Sequence, residues 1–191
     1  MKKIFFILLI LNLLFSRTSF AQEIPVPVMN QLQIFYKIFS SNRNFKLKEG
    51  NAIEICIVYQ KKFRLSSGIK NQVLSIIEEN GSFKKFDNKK INFSILSIEN
   101  EKTLDNYLES NKVDIILITP LRAVNIELLA ETTRKHKVLS FCFVPEYVES
   151  GLSVGIGSKA GKPKILINLK ASREEGADFS SQLLKLSKII N

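Results

Sequence analysis

The sequence predicts an α/β protein: a mostly parallel central sheet flanked by helices on both faces, with a C-terminal β-hairpin and a terminal helix. Three observations carry this. Short β-branched apolar runs alternate with segments of helical periodicity between residues 53 and 144, an order that implies βαβ units and parallel strands. The runs are apolar at successive rather than alternate positions, as strands covered on both faces require. Beyond residue 150 two strand-like runs lie side by side around a turn containing Gly161 and Pro163, which marks a hairpin.

The chain opens with Lys2 and Lys3, an apolar stretch from Ile4 to Phe15, and Ser19-Phe20-Ala21. A basic start, a short greasy run and small residues two positions apart make a secretory signal peptide over residues 1–21. The run is too short to cross a bilayer, which takes about 20 apolar residues. Cleavage leaves Gln22 first, and residues 22–191 form a single domain. The mature chain is therefore expected to be exported, soluble and not itself membrane-spanning.

Pro25 and Pro27 make an extended lead-in. Leu32, Phe35, Tyr36 and Phe39 then recur at helical spacing, so a first amphipathic helix begins near Met29. Polar residues 40–51, ending in Gly50-Asn51, break it. A central strand follows over 53–59. Ile69, Val73, Ile76 and Ile77 mark the second helix, closed by Asn80-Gly81. A strand over 91–96 precedes a helix carrying Leu104, Tyr107 and Leu108. Residues 113–118 form a buried strand stopped by Pro120. The fourth helix carries Val124, Leu128 and Leu129, and the next strand, over 138–144, ends at Pro145. Residues 152–158 and 164–168 are the hairpin strands. Gly176 separates a short helix from a last one with Phe179, Leu183, Leu186 and Ile190 on one face.

Composition narrows the function. The chain has 191 residues, 45% of them hydrophobic and 24% charged, as in an ordinary globular protein. Lys+Arg number 28 against 18 Asp+Glu, a formal charge of +10. In an exported chain that excess suits acidic partners or a membrane surface rather than nucleic acid. The scattered lysines read first as a solvated surface. Two cysteines exclude a disulfide scaffold and a zinc site built from Cys.

No catalytic constellation emerges. His136 is the sole histidine, in a run of cations with no orienting carboxylate in its own neighbourhood, and reads as an exposed helix-end residue. Glu78-Glu79 and Glu174-Glu175 are adjacent pairs that do not face one point, and read as solvated faces. No Gly-rich phosphate loop follows any strand. The expectation is a non-enzyme with no catalytic residue, no metal and no cofactor.

One stretch supports ligand binding. Arg64, Ser66 and Ser67 open the second helix just after the first strand, where free N–H groups, hydroxyls and a guanidinium could hold a carboxylate or phosphate. Capping of the helix by Ser66 or Ser67 is the plainer alternative. Ligands of open α/β sheets sit outside the carboxyl ends of the strands, which here supply Gln60, Arg64, Thr119, Arg122, Glu146 and Tyr147. Cys56 and Cys142 lie inside two predicted strands; they are either buried thiols or, after export, a disulfide.

The tail reads Ile165-Leu166-Ile167-Asn168-Leu169, a connecting segment, then Ser180-Ser181-Gln182-Leu183-Leu184-Lys185-Leu186. This resembles the closing signature of the YfiR/HmsC family of exported bacterial proteins. The leader, the aromatic first helix and the strand over 53–59 fit as well. The resemblance implies a periplasmic regulator of α/β fold. Such a protein contacts the periplasmic portion of a membrane-bound diguanylate cyclase, restrains it, and can form a homodimer. Binding of a small solute for a membrane sensor or transporter is the alternative.

Overall fold

The structure, a computed structural model, describes residues 24–44, 52–86 and 88–190. The leader over 1–21 and the Gly50-Asn51 turn lie outside the described residues. Helix α1 (Val28–Ser40) is followed by β1 (Ala52–Tyr59), α2 (Arg64–Glu79), a 3₁₀ turn (Gly81–Lys84) and β2 (Lys85–Phe86). Next come β3 (Lys89–Ser97), α3 (Glu101–Ser110), β4 (Ile115–Ile118), α4 (Ile126–Lys135) and β5 (Leu139–Cys142). The chain then runs through α5 (Glu146–Glu149), β6 (Val154–Lys159), β7 (Lys162–Asn168), α6 (Leu169–Glu174), α7 (Ser181–Leu186) and β8 (Lys188–Ile190).

All eight strands form one sheet in the order β2-β3-β1-β4-β5-β6-β7-β8. Pairing is parallel from β3 through β6 and again between β7 and β8; only β2–β3 and β6–β7 are antiparallel. The expected mostly parallel α/β sheet is therefore present. Alternation along β1 explains why its run is apolar throughout. Ile53, Ile55 and Ile57 join one hydrophobic cluster with Phe35 of α1 and Val73 of α2. Cys56 and Val58 join the other, with Leu104 of α3 and Leu129 of α4. Each face of the sheet is thus sealed by its own helices, as the sequence predicted. Phe35 meets the rings of Phe141 and Phe143 edge-on at 4.9 and 5.6 Å, which seats α1 over β5.

Several boundaries differ from the sequence reading. The final helix stops at Leu186: Ser187 is extended, and Ile190 lies in β8 rather than on a helical face. Pairing with the open side of β7 outweighs continuation of a six-residue helix, and Leu186 is left 64% exposed. The hairpin is tighter than its Gly and Pro suggested. Ala160 and Gly161 alone turn the chain, both with positive φ, the two-residue geometry that matches strand twist. The short elements β2 and α5 are additional to the expected set.

Gly155 of β6 is a close-approach position. A Cβ there would lie 2.7 Å from Val148 Cγ2 and 3.2 Å from Cys142 Sγ. Its missing side chain lets α5 lie against the sheet.

Candidate functional site

The loops leaving β1 and β4 meet at the carboxyl edge of the sheet. Gln60 spans them with both ends of its amide: Nε2 donates to Arg122 O at 2.8 Å, and Oε1 accepts from Arg122 N–H at 2.6 Å. Below this clasp lies a chain of hydroxyls. Thr119 Oγ1 donates to Val58 O at 3.0 Å and stands 2.7 Å from Ser66 Oγ. Thr119 has only one hydroxyl proton, so Ser66 donates to Thr119 and accepts the Gln60 N–H at 2.7 Å. Ser67 Oγ donates back to the carbonyls of Gln60 and Lys61.

Five of the eight expected residues, Gln60, Ser66, Ser67, Thr119 and Arg122, thus form one hydrogen-bonded unit. Arg64 begins α2 beside them and is exposed. Neither serine caps α2. Its N-cap is Phe63 with no side-chain bond, because the hydroxyls are committed to the preceding loop. Tyr147 is buried and ties α5 to the same edge: its hydroxyl accepts from Leu121 N–H at 2.8 Å and donates to Leu121 O at 3.1 Å. Glu146 does not join the set. It faces a separate cleft of about 780 Å³ with Lys159, Lys164 and Lys188.

Above the clasp is an open cleft of about 350 Å³ lined by Gln60, Lys61, Lys62, Phe63, Ile98, Glu99, Arg122 and Ala123. Arg122 stacks over the Phe63 ring at 4.8 Å, a cation–π contact that holds the guanidinium flat. Lys62 pairs with Glu99 at 3.0 Å. The serine and threonine hydroxyls lie beneath and do not line the cleft. It therefore offers cations, an aromatic face and amide groups, a surface for contact with an anionic or mixed group.

Two residues read as solvated are placed otherwise. Glu175 is 3% exposed and accepts from Ser140 N–H at 2.9 Å, Ser140 Oγ at 2.8 Å, Thr133 Oγ1 at 2.6 Å and Ser153 Oγ. Burial raises its pKa to about 7, against the opposing pull of these donors. Only Glu174 stays outside, paired with Arg134 at 3.4 Å. The adjacent-pair rule holds, because neighbours on a helix point apart; one of them points inward.

His136 is the C-cap of α4, as its position suggested, but its side chain is largely covered and sits 2.7 Å from Asp105 Oδ1 on α3. Lys135 reaches the same carboxylate at 2.8 Å. These two hydrogen bonds, that of Lys135 foremost, hold the Asp105 carboxyl below its ordinary range. The carboxylate that local sequence lacked comes from a neighbouring helix, and it joins α3 to α4. Cys56 and Cys142 are both free and buried. They lie in β1 and β5 with β4 between them, so no bridge is formed. Burial pushes both thiols up, which suppresses thiolate chemistry.

The family description YfiR/HmsC-like matches residues 43–188. The chain belongs to this family. A comparison with curated protein sequences yields no match. Solved structures similar to this YfiR/HmsC-like chain include a conserved domain protein from Vibrio cholerae, with TM-score 0.61 and 14% identity over 86% of this chain and 60% of that one. An ABC domain in complex with L-Trp from Streptococcus pneumoniae has TM-score 0.55 and 16% identity over 86% of this chain and 60% of that one. A third is a substrate-binding protein with adhesive properties from Clostridium difficile, in its ligand-free, open form. It has TM-score 0.50 and 12% identity over 78% of this chain and 57% of that one. At these identities the likeness concerns the fold. The YfiR/HmsC-like chain spans about 60% of the length of the first two structures.

Proposed function

We propose that this chain is a non-enzymatic periplasmic regulator, exported by the leader over 1–21, with residues 22–191 as one domain. It docks on the periplasmic part of an inner-membrane signalling protein of diguanylate cyclase type and modulates its cyclic-di-GMP output. Membership of the YfiR/HmsC-like family supports this reading. Among the described residues no helix is long and apolar enough to cross a membrane, in keeping with a partner that supplies the membrane anchor.

The observation that carries it is the closed hydrogen-bond circuit of Val58, Gln60, Ser66 and Thr119. A nucleophilic hydroxyl needs a base to take its proton; these protons go to a carbonyl and to another hydroxyl. The carboxyl-edge cleft presents Lys61, Lys62 and Arg122 as its cations, with Arg64 exposed beside it at the start of α2. Regulation follows by differential affinity: bound more tightly to one state of the partner, the module shifts its population toward that state.

The test is co-purification of the tagged chain with membrane proteins, together with cyclic-di-GMP measured in a deletion strain. Capture of a membrane cyclase, lost in an Arg64→Glu/Arg122→Glu variant that still folds, supports the reading. Unchanged cyclic-di-GMP and no membrane partner overturn it.

A second reading, binding of a small solute, is favoured by the likeness to substrate-binding structures, one of them described in complex with L-Trp. The open cleft beside Phe63 and Arg122 is where a solute would sit. A melting screen against amino acids and organic acids decides it: a shift abolished by Arg122→Glu supports solute binding.

A further inference from the structure

Strand β6 outruns its neighbour. Only Val154 and Gly155 pair with β5, whereas β6 continues to Lys159 and pairs with β7 throughout. The β6–β7 hairpin therefore overhangs the carboxyl end of β5. Register fixes which side chains share a face of this overhang, because residues directly opposite on neighbouring strands point the same way. Gly155 lies opposite Leu166, and Leu166 opposite Lys188; Gly157 lies opposite Lys164, and Lys159 opposite Lys162. A Cβ on Gly155 would touch Val148, so this is the face that α5 covers. That helix has only four residues. At Gly157 the nearest atom outside β7 is Pro145 Cβ, 3.8 Å from where a Cβ would stand. Beyond it the face opens into the cleft of about 780 Å³, walled by Pro25, Pro145 and Leu166.

Lysines scattered in the sequence are gathered here. Lys159, Lys164 and Lys188 line the cleft, and Glu146 is the sole carboxylate among its lining residues. Lys162 stands directly opposite Lys159, a like-charge pair that destabilises a sheet. Among the described residues neither of these two lysines has an ion-pair partner. Lys188 reaches Glu149 only at 3.9 Å, with both side chains more than half exposed, a pairing worth little. Lys164 is half-buried, and donation to Leu186 O at 2.8 Å holds its ammonium in place. Neighbouring strands lie about 5 Å apart, within the Debye length of about 8 Å at physiological salt. The charges therefore add, and a cleft concentrates their potential.

Gly157 is a second, independent observation. Its φ is not positive, and a Cβ there would meet Leu166 and Pro145 at 3.4–3.8 Å, ordinary contact distances. Neither backbone nor packing calls for glycine, in contrast to Gly155, where Val148 Cγ2 would be 2.7 Å away. Glycine inside a strand weakens it and often marks a place where a ligand approaches the main chain. Here it leaves bare main chain at the base of the cleft.

We propose that this cleft is a second binding site, and that its ligand is a multivalent phosphate-type anion. The lysines are separate point charges on three strands, suited to an anion with several charged oxygens. A single carboxylate is better met by the planar fork of an arginine, and none stands among the lining residues. The carboxyl edge of an open α/β sheet is also where ligands settle. A phosphorylated solute and an anionic lipid headgroup carry this same chemistry. The inference goes beyond the regulatory reading and does not need it: the Arg122 cleft shares no lining residue with this one.

Calorimetric titration of the purified full chain with inorganic pyrophosphate, at constant ionic strength, is the test. Binding is expected, and Lys159→Glu weakens it at least about tenfold by reversing a charge beside the anion. Lys112→Glu makes the same change in net charge at an exposed residue before β4 and leaves affinity unchanged. Gly157→Ala weakens binding with no fall in Tm, a split that a merely structural glycine would not give. Circular dichroism checks that each variant folds. Flotation with phosphatidylglycerol vesicles, set against phosphatidylcholine, distinguishes the sources. Attachment lost in Lys159→Glu assigns a lipid headgroup, and pyrophosphate binding without attachment assigns a free solute; both uphold the site. Neither binding nor attachment, equal sensitivity to Lys112→Glu, or tighter binding of citrate than of pyrophosphate overturns the proposal. So does capture of the membrane cyclase lost in Lys159→Glu with no anion bound, because that assigns the cleft to a protein partner.

Discussion

Glu175, the C-cap of α6, accepts a hydrogen bond from the main-chain N–H of Ser140 in β5 at 2.9 Å, across a separation of 35 residues. Thr133 and Ser153 donate to the same carboxylate. One buried carboxyl therefore fastens α4, β5, the entry to β6 and the segment after β7 to a single point.

Protonation of Glu175 sets a pH dependence of stability. Its pKa is raised from 4.5 to about 7 by burial. A raised carboxyl contributes stability that is fully present below about pH 4.5 and lost as pH rises through 7. The span corresponds to roughly 3 kcal/mol. Glu175→Gln is expected to flatten the fall in Tm between pH 5 and pH 8. Parallel Tm–pH profiles for the two proteins would contradict it.

Thr119→Val removes a hydroxyl without changing side-chain shape. Val58 O keeps the Thr119 main-chain N–H at 3.1 Å but loses the hydroxyl, and the buried Ser66 hydroxyl loses its acceptor. Buried groups left without partners cost about 1–3 kcal/mol. Denaturant unfolding should report that loss with an unchanged m-value. Stability equal to wild type would mean that the circuit does not hold the β1 and β4 loops together.

Gly155→Ala adds one carbon at a position with no room for it. The nearest obstacles are Val148 and Cys142, both buried. Overpacking of this kind costs about 1–3 kcal/mol. The double variant with Val148→Ala should recover part of the loss, because the shorter side chain withdraws the closest atom. Equal destabilisation in both backgrounds would place the clash elsewhere.

Cys56 and Cys142 should resist thiol reagents in the native protein and react fully once it is unfolded. Both are buried with raised thiols, and β4 separates their strands. Rapid native labelling, or a Cys56–Cys142 disulfide formed under mild oxidation, would contradict this.

Much of the fold was legible because its signals are local. The run over 53–59 announces a strand buried on both sides, and Phe35 with Phe39 announces the face of α1 that packs. What the sequence hid depends on the partner rather than the residue. Glu174 and Glu175 are chemically identical, and nothing local says which meets Ser140. Asp105 lies thirty-one residues before His136, so their pairing follows from α3 packing on α4. At the carboxyl edge, Ser66 is named from the helix start, while the strand-end rule names Gln60, Thr119 and Arg122, which hydrogen bonds join in the structure. It could not separate Glu146, because the extra helix α5 turns that side chain toward the lysine cleft. Ile190 carried a helical periodicity that an unpaired strand edge overrode.

Strand β1 lies between β3 and β4, and Ile53, Cys56, Ile57 and Val58 within it have no solvent exposure. Its amides should exchange last, only on global opening. The Gln60 clasp and the Thr119–Ser66 hydroxyls are bolted to the end of that strand, so the floor of the cleft inherits its rigidity. Any adjustment to a visitor must come from the rim, at Lys61, Lys62 and Ala123, while the base stays as stiff as the centre of the molecule.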